Sequence, residues 1–235
     1  MVGMKSASKQ SYKCQYCGTS YAREGTLLKH MCEPKRRFQQ QNEIGVQWGF
    51  QAYLKFYEIT QGSSKNKTYE DFTKSTFYVA FVKFGRYCVE IRCINFVSFL
   101  EWLLKKNKAI DYWCKDSLYD EWFRPYMQKE AVQDALERSL KEMQKYADEQ
   151  EFNGGFSDYF RMGNTNRISH HISSGRISPW VLYHCDSGVA FLDGLNEAQI
   201  PMILPYIDPS FWSKKFKDYP EDVMWVKSVL KEAGL

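Results

Sequence analysis

Long apolar runs are missing from this 235-residue sequence. No stretch of about eighteen residues is both apolar and free of charge, and no apolar segment follows the first Met, so neither a membrane-spanning helix nor a secretory leader is expected. Histidine is scarce, with four residues, and no Gly-rich phosphate loop, nucleophile elbow, His-Glu-x-x-His or paired-carboxylate signature occurs. An enzyme is therefore not expected. The seven cysteines are an odd number and are thinly spread outside residues 14–32, which argues against a disulfide framework and for a reducing, intracellular and cytoplasmic setting. Internal repeats and low-complexity tracts are also absent. What is present is 44% hydrophobic and 17% aromatic residues, ample for a packed core in one large domain or two smaller ones.

The most legible chemistry lies in Tyr12–Arg37, YKCQYCGTSYAREGTLLKHMCEPKRR. Cys14 and Cys17 are two residues apart, a spacing that lets two thiolates on a tight knuckle reach one tetrahedral ion at about 2.3 Å. Twelve residues separate Cys17 from His30, and between them stand Tyr21 and Leu27. This Cys-x2-Cys-x3-aromatic-x5-Leu-x2-His run resembles the two-Cys-two-His ββα zinc finger through its first three ligands and both core positions. A second His is missing at the family's spacing, because Pro34 occupies the nearest such position and the next His is His170. Cys32 is the nearest soft ligand. The expected site is thus three Cys and one His, binding Zn2+ through Cys14, Cys17, His30 and Cys32. Residues two apart do not share a helix face, so the helix must unwind at Met31, as Pro34 encourages.

Charge is unevenly placed. Residues 1–40 carry eight cations against two anions, while the other 195 carry twenty-four against twenty-six, giving +6 and −2 of the net +4. A basic segment joined to a mildly acidic body suggests that the N-terminus meets a polyanion. The finger resemblance implies that Arg23, Thr26 and Lys29 face a DNA major groove, with Lys35, Arg36 and Arg37 adding phosphate contacts. One finger covers only about three base pairs.

The remainder reads as helix, so the expected fold is mainly α: a flexible arm over 1–11, the ββα finger over 12–37, a helical subdomain over 38–152, a turn-rich connection over 153–176 and a C-terminal helical subdomain over 177–235. An aromatic-rich segment from Phe38 is helical from about Val46, and Gln61–Lys67 is an exposed connection. Thr68 with Asp71 forms a capping signal. Phe77, Phe81 and Phe84 recur at helical spacing in 71–92, although Tyr87–Ile91 also suits a short strand. Asn95 caps FVSFLEWLLKKN, and Asp116 or Ser117 caps a helix that Pro125 kinks or ends. Ala131–Gln150 is the clearest amphipathic helix. Ser178-Pro179 starts a helix ending near Gly188, Asn196 caps a further turn, and Asp208-Pro209 and Pro220-Glu221 start two more, the last closed by Gly234.

Two other groups invite chemistry. His170, His171, His184 and Cys185 could form a second metal site, although a core role is sufficient for them. Arg161, Arg167 and Arg176 with Tyr159, Phe160 and Asn166 could line a single-strand groove or simply a solvated loop. Finally, the aromatic-rich helices of 70–150 followed by Arg176-Ile177-Ser178, an apolar helix and Asp186-Ser187 are similar to the all-helical helicase-loading proteins of T-even-type phages, over residues about 46–235. That family lacks an N-terminal finger. The resemblance implies binding to forked or single-stranded DNA, contact with a single-strand-binding protein and helicase recruitment without catalysis, in a host cytoplasm. The expected function is a zinc-finger DNA-binding accessory protein of phage replication, recombination or transcription, with duplex, forked or single-stranded DNA and a second protein as partners and no membrane. The alternative is an adaptor whose finger docks protein.

Overall fold

Apolar residues three and four apart commit most of this chain to helix, and the computed structural model, which describes residues 11–62 and 67–235, is mainly α with a small N-terminal ββα element. The arm expected over 1–11 and the connection at Gln61–Lys67 lie mostly outside the described residues. The chain divides into two units, Met1–Leu118 and Tyr119–Leu235.

The first unit opens with the paired strands β1 (Tyr12–Lys13) and β2 (Ser20–Tyr21), in the register Tyr12 to Tyr21 and Lys13 to Ser20. There follow α1 (Glu24–Lys29), α2 (Glu33–Gln39), α3 (Ile44–Gln61), α4 (Tyr69–Lys74), α5 (Tyr78–Glu90) and α6 (Phe96–Lys105). Thr68 and Asp71 form the expected capping box on α4, and Asn95 caps α6 by accepting from the Ser98 amide at 3.0 Å. The helical pattern of 71–92 is two helices, because Ser75 turns extended and its Oγ accepts from the Phe77 amide at 3.1 Å. Residues 87–90 stay helical. Phe72, Phe81, Phe84, Phe99 and Trp113 are fully buried and make the unit's aromatic core.

One feature of this unit is set by glycine. Gly45 and Gly49 on α3 face Gly85 on α5, and a Cβ placed on Gly85 would lie 2.1 Å from the Gly45 carbonyl oxygen and 2.4 Å from the Gly49 nitrogen. The two helices touch backbone to backbone at this point, a contact that only small residues permit. Beside it, Arg86 donates to both carboxylate oxygens of Glu43, at 2.6 and 2.7 Å.

α7 (Asp116–Lys129) runs on through Pro125 rather than ending there. The second unit then contains α8 (Val132–Glu149), α9 (Tyr159–Met162), α10 (Thr165–Ser173), α11 (Pro179–Leu182), α12 (Asp186–Asp193), α13 (Ile200–Ile207), α14 (Pro209–Asp218) and α15 (Pro220–Glu232). The turn-rich stretch 153–176 lies inside this unit rather than between units. Its polar residues serve local structure: Asn164 caps α10 by accepting from the Arg167 amide at 3.1 Å, and Asp158 closes the preceding turn by accepting from the Gly154 amide at 2.9 Å. Its apolar residues Tyr159, Ile168 and Ile172 are fully buried in the unit's core with Trp180, Val181, Leu182 and Trp212. The helix expected from Ser178 to Gly188 is broken, since Cys185 is extended and α12 starts afresh at Asp186. Gly188 packs so closely on the preceding helix that a Cβ there would lie 2.5 Å from the Leu182 carbonyl oxygen.

Candidate metal centre

The centre is assembled by short-range constraints. Between β1 and β2 the chain reverses through Cys14–Gly18, with the Gly18 amide donating to the Cys14 carbonyl at 2.8 Å and the Cys14 amide to the Thr19 carbonyl at 2.8 Å. Gly18 has φ +75°, the left-handed conformation that glycine adopts without strain. The sulfurs of the knuckle approach two residues that follow α1, Cys14 meeting Cys32 and Cys17 meeting His30. That helix stops at Lys29, His30 and Cys32 are extended, and α2 begins at Glu33 with Pro34 in its first turn. The unwinding that a Cys32 ligand requires is present, and it falls immediately after α1.

The ligand atoms of Cys14, Cys17, His30 and Cys32 all lie within 4.8 Å of one another, and no other such cluster occurs among the described residues. The Cys14 and Cys32 sulfurs are 3.9 Å apart, and Cys17 Sγ is 3.3 Å from His30 Nε2. The edges of a tetrahedron built on thiolate and imidazole bonds to a metal are about 3.5–3.8 Å. The donor set therefore fits a tetrahedral, sulfur-rich metal site. An ion there would tie four points of the chain together and offset the mutual repulsion of three thiolates. That cross-link matters because neither α1 nor α2 contains a fully buried residue.

The surroundings favour ligation. Hydrogen bonds from the Thr19 hydroxyl and backbone, with His30 adding to them, pull the Cys17 thiol from 9.0 down to about 6. Burial pushes the Cys32 thiol the other way. Tyr21 Oη lies 2.7 Å from His30 Nδ1, so an Nδ1–H donated to the phenol leaves Nε2 unprotonated and turned toward the Cys17 sulfur. Holding a metal-binding imidazole by its far nitrogen sets its tautomer and raises its basicity. Lys35 Nζ donates to the His30 carbonyl at 3.1 Å from behind. Sequence pattern identified Tyr21 only as a core aromatic. The signal for its second role is the hydroxyl, which a Phe at that position would lack.

The residues assigned to nucleic acid are placed differently from one another. Arg23 is the extended residue before α1, Thr26 and Lys29 lie within the helix three residues apart and so on one face, and all three are exposed. Arg36 is exposed on α2. Lys35 is partly engaged by His30, and Arg37 is engaged through both terminal nitrogens, while its buried Nε has no hydrogen-bond partner among the described residues. Its Nη1 donates to the Thr73 carbonyl at 2.5 Å, its Nη2 pairs with Glu33, and its guanidinium lies 4.4 Å from the centre of the Tyr78 ring.

The second histidine group does not converge. His171 is buried with Nδ1 2.7 Å from Tyr159 Oη, while His184 donates from Nδ1 to the Trp180 carbonyl at 2.8 Å and burial lowers its pKa. The aromatic residues of the suggested single-strand groove are also unsuited to stacking on bases. Tyr159 and Phe160 are core residues, and Arg167 pairs with Glu149 at 2.6 Å. No helix among the described residues is long and apolar enough to cross a membrane. A scan against protein-family models finds no match, and searches of the curated proteins and of the solved structures find none either.

Proposed function

We propose that the chain is a cytoplasmic, zinc-binding and DNA-binding accessory protein without catalytic activity of its own. In this reading the finger engages DNA, and the helical units hold a second protein and bring it there. Recruitment of this kind is what the resemblance to helicase-loading proteins implies, and it would serve phage replication, recombination or transcription. The observation that carries the DNA reading is the exposure of Arg23 just before, and of Thr26 and Lys29 on, a helix whose C-terminal end supplies His30 to the Cys14, Cys17, His30 and Cys32 cluster. The metal is proposed to be zinc because three thiolates and one imidazole in a tetrahedral set suit that ion.

The test is affinity for duplex, forked and single-stranded DNA at two salt concentrations, for the wild type and for Arg23→Ala/Lys29→Ala/Arg36→Ala. Each lost phosphate contact lowers the log–log salt slope by about 0.9 on duplex DNA. The triple variant should bind more weakly and with a shallower slope while keeping its zinc. Absent or salt-independent binding by zinc-loaded wild type would exclude the reading.

A docking role for the finger is the second reading, and it rests on Leu28 and Met31. These apolar side chains are 73% and 58% exposed, three residues apart on the finger. If the finger docks protein, Leu28→Ser/Met31→Ser should release the partner while the triple cation variant retains it.

A further inference from the structure

On the far side of α2 from the Arg36 face, the first unit contains a groove of about 670 Å³ between the metal knuckle, α2 and α4. Its walls are aromatic. Tyr16, which lies between the two knuckle cysteines, meets Phe38 of α2 with ring centres 5.3 Å apart and planes inclined by 46°. Phe38 is 43% exposed, so part of its ring has no protein neighbour. Tyr69 of α4 forms the opposite wall and is held firmly, with its hydroxyl donating to the Arg37 carbonyl at 2.8 Å and its ring meeting Phe50 edge-on at 5.4 Å. Gln15 and Gln41 also line the groove. Each offers donors and an acceptor, and neither has a side-chain hydrogen bond within the protein among the described residues.

We infer that this groove is a stacking site for one unpaired nucleobase of a single-stranded nucleic acid. The inference rests on the nucleic-acid reading above and adds to it a position and a chemistry that the finger's cations do not supply. A partly exposed Phe beside a Tyr offers the flat apolar surface on which any base stacks, and primary amides match the donor and acceptor edges of bases. The walls are fixed before binding, because Tyr16 is anchored by its two flanking cysteine turns and Tyr69 by its hydrogen bond, so little ordering accompanies entry. A strand suits the groove better than a free nucleotide. At its rim Lys74 pairs with Glu70 at 2.5 Å and the terminal nitrogens of Arg37 are engaged with Glu33 and Thr73, so both lining cations already have carboxylate partners and the Glu70 carboxylate opposes a terminal phosphate there.

The experiment uses the full zinc-loaded chain and compares an oligothymidylate with an abasic oligonucleotide of equal length, which keeps the phosphates and removes the bases. Alanine substitution at stacking sites costs about 5- to 150-fold per base, so wild type should prefer the oligothymidylate by a factor in that range. Phe38→Leu keeps an apolar side chain but removes the ring, and should abolish the preference. Phe38→Trp should restore it. Salt slopes should be the same for all three proteins, and zinc content and thermal melting should confirm that each is folded. Equal binding of the two oligonucleotides by wild type, or a preference that survives in Phe38→Leu, would overturn the inference. A groove that seats a protein segment predicts this equality. Free thymidine monophosphate competing as well as the oligothymidylate would overturn the assignment to a strand. Salt-dependent duplex binding without base preference would leave the DNA reading standing while the stacking site falls. Failure to bind any nucleic acid would remove both.

Discussion

The finger and the second unit solve the same problem by opposite means. Between Tyr12 and Gln39 only Cys14 is buried, and the two helices there contain no buried residue. In the unit from Tyr119 onward, Trp180, Trp212, Tyr159 and Met143 are all sealed from solvent. Short segments cannot enclose enough apolar surface to offset chain entropy, so on the proposed reading the finger depends on ligand bonds to its ion, whereas the larger unit depends on burial. One region should therefore respond to metal and the other to volume.

Removing the metal should have the largest effect. Structural zinc in finger peptides is worth about 10–16 kcal/mol at neutral pH, so chelation should unfold residues 12–39. Hydrogen exchange should show loss of protection there and retention in α8. Loss of protection in both would break the contrast. Next is Trp180→Ala in the second unit, where deleting a buried Trp should cost about 3–5 kcal/mol in denaturant unfolding. Zinc content should be unchanged in that variant. Gly85→Ala should cost about 3 kcal/mol, since the added methyl meets backbone rather than a side chain that could yield. This would show that α3 and α5, like the second unit, are limited by volume. The smallest effect belongs to Tyr21→Phe, which keeps the ring and removes the hydrogen bond to His30. Its zinc affinity, measured by chelator competition, should fall about 10-fold.

Legibility followed the range of the interactions. The ligands Cys14, Cys17, His30 and Cys32 are close in sequence, and their convergence needs only a tight knuckle and a helix that stops in time. The caps at Thr68, Asn95, Ser178 and Asp208 were likewise readable, because a cap bonds to amides two or three residues away. Residues 153–176 misled for a related reason. Caps of very short helices and the punctuation of a linker use the same Gly, Asn and Ser, and only the burial of Tyr159, Ile168 and Ile172 tells them apart. Arg37 reads as one of three adjacent cations, yet its partners Thr73 and Tyr78 lie more than thirty residues away.

By itself, then, the sequence determined the mainly helical class, the four residues of the Cys/His cluster and the basic N-terminal segment, since all three rest on periodicity, spacing or composition within a few turns of chain. The tertiary structure alone decided that α3 and α5 meet through glycine, that Tyr21 orients His30, that Arg37 is held inside its own unit, and that Tyr16, Phe38 and Tyr69 share one groove. Each of these depends on which distant residue arrives alongside. Packing in three dimensions sets that, and no local pattern records it.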